Sequence, residues 1–470
     1  MSSHICGRVL AIASAALLSA CKTFSPDGGI GTVATIAGQG LNKDVVRVSS
    51  PADAEYAQTR VARLLKAPLS ADAAVQIALL NNAELQAAYN RLGIAEAVAV
   101  QSSRPPLPIF SFDDVSTSLE LDIERKIVAS ILSVATWPAR SKIAGVRIEQ
   151  AELRAAEETL RLAAETRKAY IRAVAAREIL TALHVSKANA DNTAALTEQL
   201  TATGAVNKLD HARAQVFASE LGAQVTAASL QATAAQEQLT RLMGLWGSDL
   251  DRLLPRTLPP LPAKSMTLAV VERDAMDRRV DLAVARLEVD ALARSYGLTR
   301  STRLINVLDA RGISKTQKDK GVPSADGGGF DIAFEVPIYD FGRAKVREAE
   351  QRYLEGVNTL GGMVINARSE ARQAYGAYAS TRAIVVKYER EVLPLRKTIS
   401  EQTELQYNAM QVDAFVLLDA ARANETAKVA SIEAKRNFWI ASVDLSVAVL
   451  GGGSLGATDS TVLAQGTVRE

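Results

Sequence analysis

Few residues in this chain have the types and spacing that chemistry needs, and most of those few are carboxylates set on regular patterns. Glu120, Asp122 and Glu124 alternate with Leu119, Leu121 and Ile123, the period of a strand with one apolar and one acidic face. Asp331 and Glu335 stand in the same alternation with Phe330, Ile332, Phe334 and Val336. Carboxylates arrayed this way can tune the ion selectivity of an aqueous passage, or simply keep a water-filled wall wet. A second set, Lys208, Asp210, Asp413 and Asp419, lies beside two breaks in long helical stretches, at Gly204 and near Met410. Carboxylates crowded together there would repel unless a base such as Lys208 or a cation bridged them, which is the chemistry of a gate. A carboxylate near a helix N-terminus also starts the helix, gaining about 0.3–1 kcal/mol. Both readings stand at this level.

No catalytic constellation emerges. His184 and His211 stand singly on helical stretches and read as solvated or packed residues. No group of residues has metal-ligand spacing, and beyond Cys21 the mature chain has no cysteine for a soft metal. Gly327-Gly328-Gly329 precedes a strand, where a phosphate cradle needs a helix. The expectation is a non-enzyme with no cofactor and no metal. The 54 Lys and Arg against 52 Asp and Glu give no general attraction to nucleic acid.

The elements that hold these residues are long helices. No proline falls between Pro138 and Pro255, and apolar residues recur every seven positions along two stripes. One is Val146, Leu153, Leu160 and Val174, flanked by Ala156, Ala163 and Tyr170; the other is Ile148, Ala155, Leu162, Ala169, Ala176 and Leu183. Two positions are about 200° apart around a helix, so the stripes lie on nearly opposite sides and call for two neighbours. A helical run of roughly sixty residues at about 1.5 Å each, on the order of 90 Å, is a rod rather than a domain core. After a break at Thr203 to Asn207 the pattern resumes from Leu209 to Leu242, making a hairpin.

The hairpin recurs. Trp137-Pro138-Ala139-Arg140-Ser141-Lys142 is answered by Asp340-Phe341-Gly342-Arg343-Ala344-Lys345, and Arg167-Lys168-Ala169-Tyr170 by Arg372-Gln373-Ala374-Tyr375. Leu209-Asp210-His211-Ala212-Arg213 matches Leu418-Asp419-Ala420-Ala421-Arg422, and Leu242-Met243-Gly244 matches Val449-Leu450-Gly451. Upstream, Asn81 to Leu85 lines up with Arg278 to Leu282, each on a helix entered by Ser70 or Thr267. Each half then carries about two strands: Leu119 to Ala135 in the first, and Arg303 to Ile313 with Phe330 to Val336 in the second, around a polar Gly-rich loop from Lys315 to Gly329. The smallest membrane barrels need about eight strands, so several chains sharing one barrel suit these faces best. Leu69 to Gln101 reads as one amphipathic helix ended by Arg104-Pro105-Pro106-Leu107-Pro108.

Residues 1–20 read as an export signal, with Arg8 before the apolar run Val9 to Leu18, too short to span a bilayer. Leu18-Ser19-Ala20-Cys21 resembles a bacterial lipobox, making Cys21 the acylated N-terminus of a lipoprotein. Cys6 leaves with the signal, so no internal disulfide can form. Lys22 stands where inner-membrane retention favours an aspartate, and the outer membrane is the expected address. From Lys22 to about Lys66 the chain is weakly patterned, with one helical candidate from Ala54 to Leu65, and reads as a tether.

The order lipobox, tether, helix, strand pair, long hairpin, and again helix, strand pair and hairpin resembles the TolC-type outer-membrane efflux proteins, in their lipoprotein branch. The carrying segments are Ala78-Leu79-Leu80-Asn81-Asn82-Ala83-Glu84-Leu85, Val336-Pro337-Ile338-Tyr339-Asp340-Phe341-Gly342-Arg343 and Leu417-Leu418-Asp419-Ala420. The resemblance implies a mainly α protein with membrane β, in which long hairpins of three chains form a periplasmic α-barrel and twelve shared strands form the outer-membrane β-barrel. It implies a lipid-anchored homotrimer in a Gram-negative outer membrane, working as a passive conduit with a periplasmic adaptor and an inner-membrane pump. Its domains would be the signal at 1–20, the tether at 21–68, repeats at 69–262 and 263–453, and a flexible tail at 454–470. A belt around the tube would come from the tether, Ser248 to Lys264 and the C-terminal end. Glu120, Asp122, Glu124, Asp331 and Glu335 would face the barrel lumen, and Lys208, Asp210, Asp413 and Asp419 the periplasmic tip. Some members carry two tip aspartates one helical turn apart; here Val416 stands where the partner of Asp419 would be, which puts a paired acidic gate in doubt. The rival readings are the exit duct of a type I protein or peptide secretion system and a periplasmic coiled-coil scaffold lipoprotein, and the alternating strands speak against the scaffold.

Overall fold

The computed structural model describes residues 24–116, 120–204, 206–246, 254–263, 267–319 and 321–451. The signal, Cys21, Leu119, residues 248–253, Lys264 and the tail at 454–470 lie outside the described residues. In chain order the helices are α1 Ile30–Leu41, α2 Pro51–Leu64, α3 Ala71–Asn81, α4 Ala83–Ser102, α5 Ile131–Ala202, α6 Lys208–Leu242, α7 Leu268–Arg278, α8 Val280–Ser301, α9 Arg343–Lys387, α10 Leu393–Asn408 and α11 Ala414–Leu450. A π-helical turn, Tyr388–Val392, joins α9 to α10. The strands are β1 Ile109–Ser116, β2 Glu120–Ser130, β3 Val307–Asp319 and β4 Ala325–Glu335. Two compact units result: one made of the stretches up to Thr32, Tyr89–Ala155 and Leu282–Met363, the other of Val33–Ala88, Ala156–Asp281 and the chain from Val364.

The first unit carries one antiparallel sheet in the order β1-β2-β3-β4. It corrects the loop expected from Lys315 to Gly329. β3 runs on to Asp319, β4 starts at Ala325, and the three glycines lie opposite Lys315, Ser314 and Ile313 within the ladder. Ladder hydrogen bonds form whatever the side chains, and this end of the sheet is largely exposed, so no apolar alternation was needed to build it. The strand expected through Ala135 ends instead at Ser130, and α5 begins at Ile131. Pro138 therefore lies inside a helix, where it lacks the N–H that would reach Val134. Thr136 Oγ1 donates to the Leu132 carbonyl (2.8 Å) and Arg140 Nη2 to that of Ser133 (2.9 Å), engaging the carbonyls beside the gap. The stretch set against it, Asp340 to Arg343, forms a tight turn instead. There Asp340 accepts from Ala344 N (3.1 Å) and Gly342 N (2.9 Å), which holds its carboxyl below the usual value.

In the second unit the apolar stripes of α5 are both buried. Leu160, Ala163, Tyr170 and Val174 lie on one side, Leu162, Ala169 and Leu183 on the other. Tyr170 gives its hydroxyl to the Leu69 carbonyl (2.9 Å), and burial pushes its pKa up to about 12. The helix expected from Leu69 to Gln101 is broken at Asn82, whose backbone is extended (φ −75°, ψ 120°). Asn82 Oδ1 accepts from Leu85 N (3.0 Å) and its Nδ2 donates to the Leu242 carbonyl (3.0 Å), while Asn81 Nδ2 reaches that of Gly244 (2.7 Å). These bonds to the open end of α6 compete with the helix and win locally. Gly244 is required at this joint: its φ is +66°, and a Cβ there would stand 2.3 Å from the Asn81 carbonyl oxygen. Arg279 makes the corresponding break between α7 and α8 (φ −65°, ψ 121°), binding Asp281 and Glu370 and reaching the Ala448 carbonyl at 3.4 Å near the end of α11.

The stretch expected as a tether is also more ordered than its composition suggested. α1 buries Val33 and Ala37. The segment after it is bracketed by two side-chain amides: Gln76 bonds both Asp44 N (3.1 Å) and Asp44 O (2.8 Å), and Gln86 bonds Val48 N (3.0 Å) and Val46 O (2.9 Å).

Candidate functional site

Ladder register decides which strand residues share a face. Partners across the sheet put Phe110, Phe112, Ile123, Ile127, Leu308, Phe330, Ile332 and Phe334 on one face. The other face carries Glu120, Asp122, Glu124, Asp331 and Glu335, so the five carboxylates singled out in the sequence lie together. Asp113, Asp309 and Asp319 join them. Three cations that sequence reasoning missed stand on the same face: Lys126, Arg311 and Lys315. Lys315 Nζ lies 2.7 Å from Asp122 Oδ2, Lys126 Nζ 2.9 Å from Glu124 Oε1, and Arg311 Nε 3.9 Å from Asp331 Oδ1. Gln317 donates to Glu120 (2.8 Å) and Asn306 to Glu335 (3.0 Å). The face is thus a charged lattice with an acidic excess rather than a row of bare acids. Exposed pairs of this kind add at most about 1 kcal/mol, so they set the local potential more than the stability. Lys126 continues the alternation of Glu120, Asp122 and Glu124 and was findable; Arg311 and Lys315 needed the register.

Among the described residues the phenylalanine face is largely open, with Arg125 lying over the Phe112 ring (5.9 Å). Phe110, Phe112, Phe330 and Phe334 are all exposed. Among the described residues no helix is long and apolar enough to cross a membrane.

The residues expected at the tips take separate places in the second unit. Asn207 caps α6 by accepting from Asp210 N (2.9 Å), and its amide donates to Asp210 Oδ2 (2.7 Å). Arg213 Nη1 approaches Asp210 Oδ1 at 3.3 Å, and the Asp210 side chain is only 15% exposed. Asp413 caps α11, accepting from Val416 N (3.0 Å). Lys208 is the first residue of α6 and is exposed. Asp419 is exposed in a groove between α6 and α11 that also holds Leu209, Arg213, Glu220, Phe415 and Arg422. Arg213 lies over the Phe415 ring (5.0 Å), and Arg422 pairs with Glu220 (2.8 Å). The structure therefore brings Asp419 together with Arg213 and Arg422, and gives Asp210 and Asp413 capping bonds. His211 Nδ1 lies 3.4 Å from Thr197 Oγ1, and His184 is exposed. Among the described residues no three His, Cys, Asp or Glu side chains gather as a metal site.

Solved structures share this architecture. The outer-membrane channel OprN matches with a TM-score of 0.68 and 20% identity, over 83% of this chain and 92% of its own. The Campylobacter jejuni CmeC outer membrane channel matches at 0.69 with 17% identity, over 85% of this chain and 87% of its own. The open state of the Neisseria gonorrhoeae MtrE outer membrane channel matches at 0.65 with 18% identity, over 83% and 89%. No family model matches the sequence, and no curated protein matches it. At these identities the likeness establishes the fold.

Proposed function

We infer that this chain, whose fold is that of the TolC-type outer-membrane efflux channels, is the outer-membrane conduit of a tripartite efflux system. Three chains would share a twelve-stranded barrel, with the charged face of each sheet toward water and the phenylalanine face toward lipid. The observation that carries this reading is the sheet itself: four strands with one apolar and one charged face, too few to close a barrel alone. Such a face in a single chain asks for lipid on one side and further strands at β1 and β4. A pure coiled-coil scaffold has no use for it.

In this reading Cys21 carries the acyl anchor, 21–68 leads from it, and 69–262 and 263–453 are repeats of one unit. Asn81 and Asn82 at the end of α6, matched by Arg279 at the end of α11, support the duplication. The helical tips would meet a periplasmic adaptor beneath which an inner-membrane pump supplies the energy. Asp419, exposed beside Arg213 and Arg422, is the tip carboxylate best suited to sense a passing cation; Asp210 and Asp413 start helices. Glu120, Asp122, Glu124, Asp331 and Glu335 keep the lumen wet and acidic.

The test is the purified full chain. Light scattering in detergent should give a trimer and planar bilayers a conducting pore, with Asp419→Ala changing conductance or its block by cations. A stable monomer with native helicity that conducts nothing overturns the reading.

A further inference from the structure

The apolar face of the sheet is too shallow for the membrane proposed above. It runs from the row of Leu308 and Phe334, at the helix end of the sheet, to the row of Phe112, three same-face steps away. Arg125 and Ser314 already share that last row, and the next carries Asp114 and Asp326. Same-face neighbours along a strand stand about 6.7 Å apart. At a barrel tilt of about 35–45° the face therefore covers roughly 15 Å of depth, against roughly 25 Å in outer-membrane barrels.

The missing depth lies past the helix end. Leu107 before β1, Leu304 before β3, and Ile338, Tyr339 and Phe341 after β4 are all exposed, Tyr339 to 98%. The turn that carries the last three is fixed. Asp340 accepts from Ala344 N and Gly342 N, and Phe341 N donates to the Pro337 carbonyl (2.7 Å). Gly342 packs so closely on Arg303 that a Cβ there would stand 2.1 Å from the Arg303 carbonyl oxygen. That contact sets Arg303 and Arg343 on adjoining backbones beside Phe341. Both arginines are exposed, and among the described residues neither has a carboxylate partner. The same holds for Arg104, Lys142 and Arg300 at this end of the sheet. Farther from the sheet pairing resumes, as in Arg147 with Glu288, Arg294 with Asp290 and Arg352 with Glu348.

We propose that Arg303 and Arg343 bind the phosphate of an acidic glycerophospholipid in the nearer leaflet, with Tyr339 and Phe341 against its glycerol and upper acyl chains. The inference rests on the barrel proposed above and adds that the lipid-facing band ends on the helix entries, not on the strands. One phosphate can answer two guanidiniums, and aromatic rings favour the headgroup boundary. A carboxylate from a neighbouring chain would answer the charge but leave Tyr339 in water; a phospholipid answers both.

The full chain in nanodiscs of equal phosphatidylglycerol and phosphatidylcholine tests it. Nitroxides on Ile332→Cys and Tyr339→Cys report depth by their access to oxygen and to a water-soluble nickel chelate, with the unaltered chain as blank. Both labels should favour oxygen. Mass spectrometry of the released complex should find phosphatidylglycerol retained over phosphatidylcholine. Arg303→Gln and Arg343→Gln should each lower that retention about fivefold, and Arg352→Gln, outside the cluster, should not. A Tyr339 label open to nickel while the Ile332 label lies in lipid would end the band at the sheet and overturn the inference. Retention of phosphatidylglycerol that both arginine variants leave unchanged overturns it as well. Should those variants loosen the oligomer while keeping the lipid, the cluster belongs to a neighbouring chain. An Ile332 label open to nickel refutes the barrel itself, so that one site tells the two failures apart.

Discussion

α5 and α9 each open a long hairpin, yet they treat their apolar residues differently. On α5 both seams are buried, Leu160, Ala163 and Val174 on one side and Leu162, Ala169 and Leu183 on the other. On α9 the buried residues are Ala367, Ala371, Tyr378 and Val385, essentially one seam, and Ile365 on another side is 71% exposed. The exposed apolar run continues on α10. One chain therefore covers both seams of its first long helix between Leu160 and Leu183, though Val185 and Leu196 beyond them are exposed, and leaves a seam of the second uncovered. In the proposed trimer the open seam of one copy would be covered by the next.

The comparison is broken most forcefully by truncating one side chain from each kind of surface. Phe438, fully buried against Tyr378, should cost about 3–5 kcal/mol as Phe438→Ala in denaturant unfolding, whatever the oligomeric state. Ile365→Ala should leave the unfolding of an isolated chain nearly unchanged but weaken the proposed trimer, read as a rise in the dissociated fraction on dilution in detergent. A trimer indifferent to Ile365→Ala would mean that this seam is not where copies meet.

The two joints sharpen the comparison. The α6 end is held by neutral amides, the α11 end by the guanidinium of Arg279, which is 3% exposed and paired with Asp281 at 6%. Burial works against the Arg279 charge, but its bonds to Asp281 and Glu370 outweigh that and raise its pKa. Arg279→Ala strands a buried carboxylate and should cost about 3–5 kcal/mol. Asn82→Ala strands neutral groups and should cost about 1–3 kcal/mol. Thermal melts of the two variants should differ in that order, and equal losses would show that the ionic joint carries no more than the amide one.

What could be read from the sequence follows from where periodicity has a physical cause. Phe330 to Val336 was legible as a strand because one of its faces is uniformly apolar; Lys315 to Gly329 was not, because neither face is. The two stripes of α5 were legible because both are buried. The breaks at Asn82 and Arg279 were invisible, since one residue leaves the helical period and the next resumes it, and only the carbonyls of Leu242 and Ala448, far off in sequence, explain them. The cations Arg311 and Lys315 facing the acids depend on cross-strand register, which no single strand encodes. The capping of α6 turned on Asn207, which lies in a turn whose sequence signalled a break but not which side chain closes it.

A smaller effect separates the helical supports of the first unit. Burial alone would raise the pKa of Glu288 on α8, but hydrogen bonds from Arg147 and Gln150 on α5 outweigh it and hold it below the usual value. A lowered folded-state pKa means stability that is present above the unfolded carboxylate value, about 4.3, and is lost as pH falls through the folded one. Glu288→Gln should therefore destabilise by no more than about 1 kcal/mol at neutral pH, given partial exposure. The gap from the unaltered chain should close below about pH 4. A gap that stayed constant from pH 7 to 3 would assign the effect to packing.

The smallest expected effect compares the tip turns, which solve the same problem with different residues. Each reverses the chain through a left-handed residue: Gly204 (φ +78°) in the first and Met410 (φ +56°) in the second. After Met410, Gln411 N bonds the Gln406 carbonyl (2.8 Å), closing the end of α10 as glycine-terminated helices are closed. A side chain in that conformation costs about 1–2 kcal/mol, while glycine costs about 0.5–1 kcal/mol in lost chain freedom. Met410→Gly should thus stabilise the turn by roughly 0.5–1 kcal/mol, the difference between those terms. Hydrogen exchange at the amides of Ala409 to Gln411 reads it locally, and slower exchange is expected. Met410 is 94% exposed, and at the tip of the proposed channel it would be open to contact with the adaptor. If the proposed adaptor docks there, Met410→Gly should weaken its capture even as it steadies the turn. Unchanged capture together with slower exchange would leave Met410 a strained residue with no partner.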